Sequence, residues 1–136
     1  MAGFYKSRLF WGYWFPVGFY CAAIFVQSAF PSPDSLSSFA LSDKAMHFLA
    51  YALMGGLFFR ALEKTRPDWR APRIILLSVI LTTLYGASDE FHQSFVAART
   101  ADVMDLLADF FGGGFGALCF SLGRMLIGRT NPSVPD

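Results

Sequence analysis

Residues 9–30, LFWGYWFPVGFYCAAIFVQSAF, carry no charged side chain. At about 1.5 Å rise per residue this stretch runs about 33 Å as a helix, enough to cross the hydrocarbon core of a bilayer. Trp11, Tyr13, Trp14 and Phe15 crowd its first turns, as expected where a helix enters the membrane–water interface. Pro16 lies inside the run; it lacks a backbone donor and predicts a local distortion. Lys6 and Arg8 precede the run, as in a secretory signal. The run exceeds the roughly 7–15 apolar residues of such a signal, and no A-x-A cleavage site follows, so a retained helix is expected.

Three further apolar runs follow. The first covers 45–62, with His47 near its start and Arg60 near its end; a Pro- and Ser-rich loop over 31–42 precedes it. A basic connector over 63–73 contains the breakers Pro67 and Pro72. The next run begins at residue 74 and is expected to continue as helix through Ser88, Asp89, Glu90 and His92 to Gln93. In the last segment Thr100 is the expected N-cap, with Asp102 in the first turn, where a carboxylate suits the helix dipole. The predicted fold is all-α: an integral membrane bundle of four transmembrane helices, about 9–30, 45–62, 74–93 and 103–127, in a single domain over 1–136.

Composition agrees. Of the 136 residues, 54% are apolar and 15% charged; a soluble domain has roughly 25% charged residues. The net charge of +1 and the lack of a basic, aromatic-interleaved run exclude nucleic acid as the expected partner. Cys21 and Cys119 both fall in apolar runs and are read as apolar fillers. Small residues at helix-packing spacing, Ala52 and Gly56, then Ala108, Gly112 and Gly116, predict close approach of the second and fourth helices. The run Gly112-Gly113-Gly114 also marks a place where the fourth helix is expected to be weak.

Orientation follows from the cations. Lys6, Arg8, Arg60, Lys64, Arg66, Arg70, Arg73, Arg124 and Arg129 fall on one side of such a bundle, leaving only Lys44 and Arg99 of the 11 Lys and Arg on the other. The positive-inside rule then places both termini and the middle connector in the cytoplasm. The outer face receives Asp34, Asp43, Asp89, Glu90, Asp102, Asp105 and Asp109.

On that face Asp43, His47 and Tyr51 stack at i, i+4 and i+8. Glu90 and Gln93 share a face of the third helix, and Asp102, Asp105 and Asp109 share one on the fourth. Asp109 lies about 5 Å and Tyr51 about 9 Å below the edges of their apolar runs by helical rise. Ionisable groups at such depth face a partner or a watery cavity. A polar pocket open to the outer face is therefore expected. Lys44 and Arg99 are expected to pair with the surplus acids, and an arginine fork also suits phosphate. A divalent metal held by some of His47, Glu90, His92, Asp105 and Asp109 is chemically reasonable, although no H-E-x-x-H or paired C-x-x-C motif is present. No nucleophile elbow, P-loop or dinucleotide fingerprint occurs.

Three strings, Ser42-Asp43-Lys44-x-x-His47-Phe48-x-x-Tyr51-x-x-x-Gly55, Ser88-Asp89-Glu90-x-x-Gln93, and Arg99-x-x-Asp102-x-x-Asp105-x-x-x-Asp109-x-x-Gly112, together resemble the VanZ-like family. That family takes its name from a protein associated with low-level resistance to the glycopeptide teicoplanin. Asp109 departs from the resemblance, because Asn often stands there; an acid allows a metal or proton role instead. The resemblance implies a multi-pass protein of the bacterial cytoplasmic membrane. Its partners are then the bilayer and a lipid-linked or cell-wall glycan headgroup. In this reading His47, Glu90 and Asp105 supply acid–base chemistry. Asp43, Lys44, Tyr51, Asp89, Gln93, Arg99, Asp102 and Asp109 position the substrate. The competing readings are a non-catalytic membrane interaction or assembly subunit, and an oligomeric ion- or proton-coupled transporter.

Overall fold

The computed structural model describes residues 2–30, 40–96 and 102–130. These residues form helices and no strand: α1 (Ala2–Leu9), a π-helical segment (Phe10–Trp14), α2 (Phe15–Ser28), α3 (Ala40–Thr65), α4 (Ala71–Gln93) and α5 (Val103–Thr130). Leu9 and Trp14, at the joints of the first three pieces, keep right-handed helical torsions, so α1, the π segment and α2 make one continuous rod. The π segment answers Pro16, which sits in the first turn of α2. Proline cannot donate to the carbonyl one turn back, and its ring needs room there. A widened turn supplies that room without ending the helix.

Four segments are long and apolar enough to cross a membrane: Ser7–Ser28, Asp43–Thr65, Ala71–Gln93 and Val103–Ile127. The helix of the first run starts earlier and stops at Ser28, two residues short of the predicted end, while α3 passes both ends of its apolar run, α4 starts before its run and α5 passes the end of its run. The connector between α3 and α4 is accordingly short. Arg70 adopts an extended conformation and Pro72 stands in the first turn of α4, where its missing N–H costs nothing.

Among the described residues much of the interior is polar and much of the surface is apolar. Ser28, Ser78, Thr82, Asp89, Glu90, Gln93, Asp105, Asp109 and Ser121 are buried, while Phe19, Leu84, Phe111 and Ile127 are among many exposed large apolar side chains. In water this would be an aggregating surface; in lipid it is the natural outer face.

Helix α3 is the axis of the bundle, with 44% of its spanning window buried against 6% for the first rod. It packs backbone to backbone on α5. A Cβ on Gly112 would strike the Phe48 carbonyl, one on Gly116 the Ala52 carbonyl, and one on Gly55 the Gly113 backbone. Ala52, Gly112 and Gly116 thus serve as the spacing predicted, and Gly55 and Gly113 join them. Gly56 instead accommodates the ring of Phe120. The glycine run does not interrupt α5, which is continuous through it; close packing on both α3 and α4 offsets the low helix propensity. Hydrogen bonds along its length tie the first rod on from outside. Tyr20 donates to the Ala50 carbonyl (3.0 Å), Tyr85 to the Cys21 carbonyl (2.5 Å), and Trp14 to the Thr65 hydroxyl (2.9 Å). Both cysteines are free thiols.

Candidate functional site: a buried acidic cluster at one end of the bundle

The up-and-down course of the chain brings the ends of α2 and α4 together with the starts of α3 and α5. On α3, Lys44, His47 and Tyr51 succeed one another at i, i+3 and i+7, one face of a helix. Each meets a different acid. The Lys44 Nζ lies 2.7 Å from Asp102 Oδ2 and 2.9 Å from Asp105 Oδ1. The His47 Nδ1 lies 3.0 Å from Asp109 Oδ1. The Tyr51 hydroxyl donates to Asp89 Oδ2 over 3.3 Å, and its ring lies nearly parallel to that of His47.

Asp89 is saturated. Besides Tyr51 it accepts from the Ser28 hydroxyl at 2.6 Å and from the Gln93 amide at 3.1 Å. Ser28, Tyr51, Asp89 and Gln93 are all buried. Four side chains from α2, α3 and α4 therefore form a closed polar knot. Gln93 bonds Asp89, one turn earlier on its own helix.

The other half is not saturated. Glu90 Oε2 accepts the Asp102 backbone N–H at 2.9 Å, while Glu90 Oε1 is buried with no hydrogen-bond partner among the described residues. Asp109 is 0% exposed, and its Oδ2 is likewise buried and unpartnered. His47, Glu90 and Asp109 each place one donor atom within 4.8 Å of the other two, and Asp43, His47 and Asp105 form a second such trio that shares His47. Asp43 is exposed and Asp105 buried, so the trios run from the surface inward through one imidazole.

Local sequence sets these positions. Asp102 precedes α5 and accepts the Met104 N–H at 2.8 Å, which makes Asp102 the cap of α5. It therefore stands before the first turn rather than in it, and Thr100, the expected cap, lies outside the described residues. The Lys44 ammonium and the Met104 amide beside Asp102 hold its carboxyl below the usual carboxylate range. Gly86 makes room for Asp109: a Cβ at residue 86 would lie 2.6 Å from Asp109 Oδ2.

Of the residues proposed from sequence, His47, Glu90, Asp105, Asp109, Lys44, Asp102 and Asp43 come together, and Tyr51, Asp89 and Gln93 form the knot beside them. Arg99 lies outside the described residues. His92 belongs to neither trio. Its ring stacks on Phe25 at 4.2 Å between centroids, with Nδ1 3.4 Å from the Ser28 hydroxyl. Two contributors were not foreseen. Ser28 is a hydroxyl near the end of an otherwise apolar run, and Gly86 lies one turn before Asp89 and Glu90. Both signals were in the sequence, but each is common in membrane helices.

No curated protein and no solved structure matches the chain. The model of the VanZ/LLP1 family matches residues 10–124, well over half of the sequence, and spans all four helices and every member of the acidic cluster. This multi-pass membrane protein belongs to the VanZ/LLP1 family.

Proposed function

We propose that the protein resides in the bacterial cytoplasmic membrane with its acidic end on the outer face, where it recognises and modifies a lipid-linked or cell-wall glycan headgroup. One observation carries the reading: two buried carboxylate oxygens beside His47, on Glu90 and Asp109, have no hydrogen-bond partner among the described residues. A membrane protein that needed only helix packing would leave the structure of the Asp89 knot, in which each oxygen has a donor. Unsatisfied buried acceptors cost free energy and point to a group that arrives from outside. Glu90, His47 and Asp105 are the acid–base groups in this reading. Lys44 and Asp102, more open to solvent, form the lip, and Arg99 is assigned to the anionic part of the headgroup.

The competing reading is an assembly module whose polar cluster only fixes helix register. The saturation of Asp89 by Ser28, Tyr51 and Gln93 favours it for that half of the cluster. The test is Glu90→Gln, which keeps size and removes charge, together with Arg99→Ala. The expected outcome is loss of headgroup binding or of a teicoplanin-susceptibility phenotype, with melting in detergent nearly unchanged. Unchanged binding and phenotype in both variants would remove these residues from the function. Orientation is tested by Asp68→Cys in a background lacking Cys21 and Cys119: labelling of intact cells by an impermeant reagent would invert the proposed topology.

A further inference from the structure

The acidic end poses a charge problem. Asp89, Glu90, Asp105 and Asp109 are buried together, and among the described residues Lys44 is committed to Asp102 and Asp105. An anionic headgroup does not approach such a cluster unless positive charge is already there. We propose that His47, Glu90 and Asp109 form a binding site for one first-row divalent cation, Mn²⁺ or Zn²⁺. This inference rests on the headgroup reading for the role of the ion, not for its binding, and with the ion bound it leaves Asp105 as the acid–base group in place of His47 and Glu90.

The geometry is that of a site with one nitrogen and two oxygen donors. One donor atom from each residue lies within 4.8 Å of the others. The 3.0 Å between His47 Nδ1 and Asp109 Oδ1 suits two ligands at right angles about one ion with bonds of about 2.1 Å. The two buried oxygens without partners, Glu90 Oε1 and Asp109 Oδ2, belong to two of the three ligands. Surrounding groups hold the ligands in place. The Asp102 N–H fixes Glu90 through its other oxygen, and Gly86 leaves the space in which Asp109 sits. Such outer contacts are what orients ligands in metal sites.

The donor set selects the ion. An imidazole is a poor partner for Ca²⁺ or Mg²⁺, whereas one imidazole with two carboxylates suits Mn²⁺ or Zn²⁺. A neutral His47 with two carboxylates balances a dication. Three protein ligands leave coordination positions open, as in catalytic rather than structural sites. An open position would take a phosphate or sugar oxygen, which gives an acidic cluster the means to hold an anionic headgroup.

The experiment uses the full chain in detergent, stripped with a chelator and titrated with MnCl₂, with free Mn²⁺ read by electron paramagnetic resonance and ZnCl₂ binding read by calorimetry. The expected result is one equivalent bound, weakened at least about tenfold by His47→Gln, Glu90→Gln or Asp109→Asn. Asp43→Asn, which belongs to the second trio, leaves affinity unchanged. Because a buried variant can fail to fold, a second measurement uses bound Mn²⁺ in the unaltered ligand set. Nitrogen modulation from one imidazole should appear and should survive His92→Gln. Absence of uptake, absence of nitrogen coupling, or affinity that depends on Asp43 rather than Glu90 overturns the site. Headgroup binding by metal-free protein that takes up no Mn²⁺ sinks this inference alone. Mn²⁺ bound as described, with no headgroup binding, sinks the proposed function and leaves the site standing.

Discussion

The two ends of the bundle handle charge in opposite ways. At the end formed by the close of α3 and the start of α4, Arg60, Lys64, Arg66, Arg70 and Arg73 are exposed. Their partners are soft or superficial. Arg60 lies over the Tyr13 ring at 4.8 Å, Arg66 and Arg73 lie over Trp69 at 4.5 and 4.0 Å, and Arg124 pairs with Glu63. At the other end Asp89, Glu90, Asp105 and Asp109 are buried, and each accepts from a specific donor. The physical reason is side-chain length. Arginine and lysine reach water along their own stems, so cations at a membrane edge need no built site. Aspartate is too short to reach out, so each buried one needs a donor, a proton or a cation. The basic end is therefore held loosely, while the acidic end is held by specific contacts.

The contrast is most exposed at Asp89. Asp89→Ala strands the Ser28 hydroxyl, the Tyr51 hydroxyl and the Gln93 amide in a buried site. Each orphaned group costs about 1–3 kcal/mol, so a loss of about 3–5 kcal/mol is expected after partial relaxation, seen as a strongly lowered melting temperature in detergent. A variant that melts like the parent would mean that the knot is wet and the acidic end no different from the basic one.

Gly86→Ala should come next. Its Cβ would meet a carboxylate rather than backbone, so Asp109 must move. Overpacking of this kind costs about 1–3 kcal/mol, and the contact of Asp109 with His47 should loosen with it. Thermal melting reads the first effect and Mn²⁺ affinity the second. Retention of both would show that Asp109 has slack.

Arg124→Ala at the basic end should cost no more than about 1 kcal/mol, the range for solvent-exposed ion pairs, since the Arg124 side chain is 46% exposed. A cost matching that of Asp89→Ala would break the distinction between the ends.

The smallest effect concerns pH and the rim of the acidic end. The carboxyl of Asp102 is held low by Lys44 and the Met104 amide. A depressed folded-state value contributes stability that is fully present above the unfolded value, near about 3.9. That stability is lost as pH falls through the lower folded value. Asp102→Asn keeps the cap but not the charge. The melting advantage of the parent over this variant should therefore be constant at neutral pH and shrink toward zero in acid. An advantage that grows on acidification would contradict the Lys44–Asp102 pairing.

Much of this was legible in the chain itself. The apolar runs, the breakers Pro67 and Pro72 and the small residues of α3 and α5 dictated four spans and a close α3–α5 contact, because burial in lipid and steric size act locally. Asp43, Asp89, Glu90, Asp102, Asp105 and Asp109 could be assigned to one end, because an up-and-down path through a bilayer leaves few alternatives. Tertiary structure alone decided which partner each acid takes. Asp89 and Glu90 are adjacent in sequence, yet one is saturated in a knot with Ser28 and Tyr51, and the other faces His47 and Asp109 with an oxygen to spare. Neighbouring residues on a helix point about 100° apart. What each one meets depends on how α2, α3 and α5 are rotated against α4, and on glycines such as Gly86 that admit one side chain at one height.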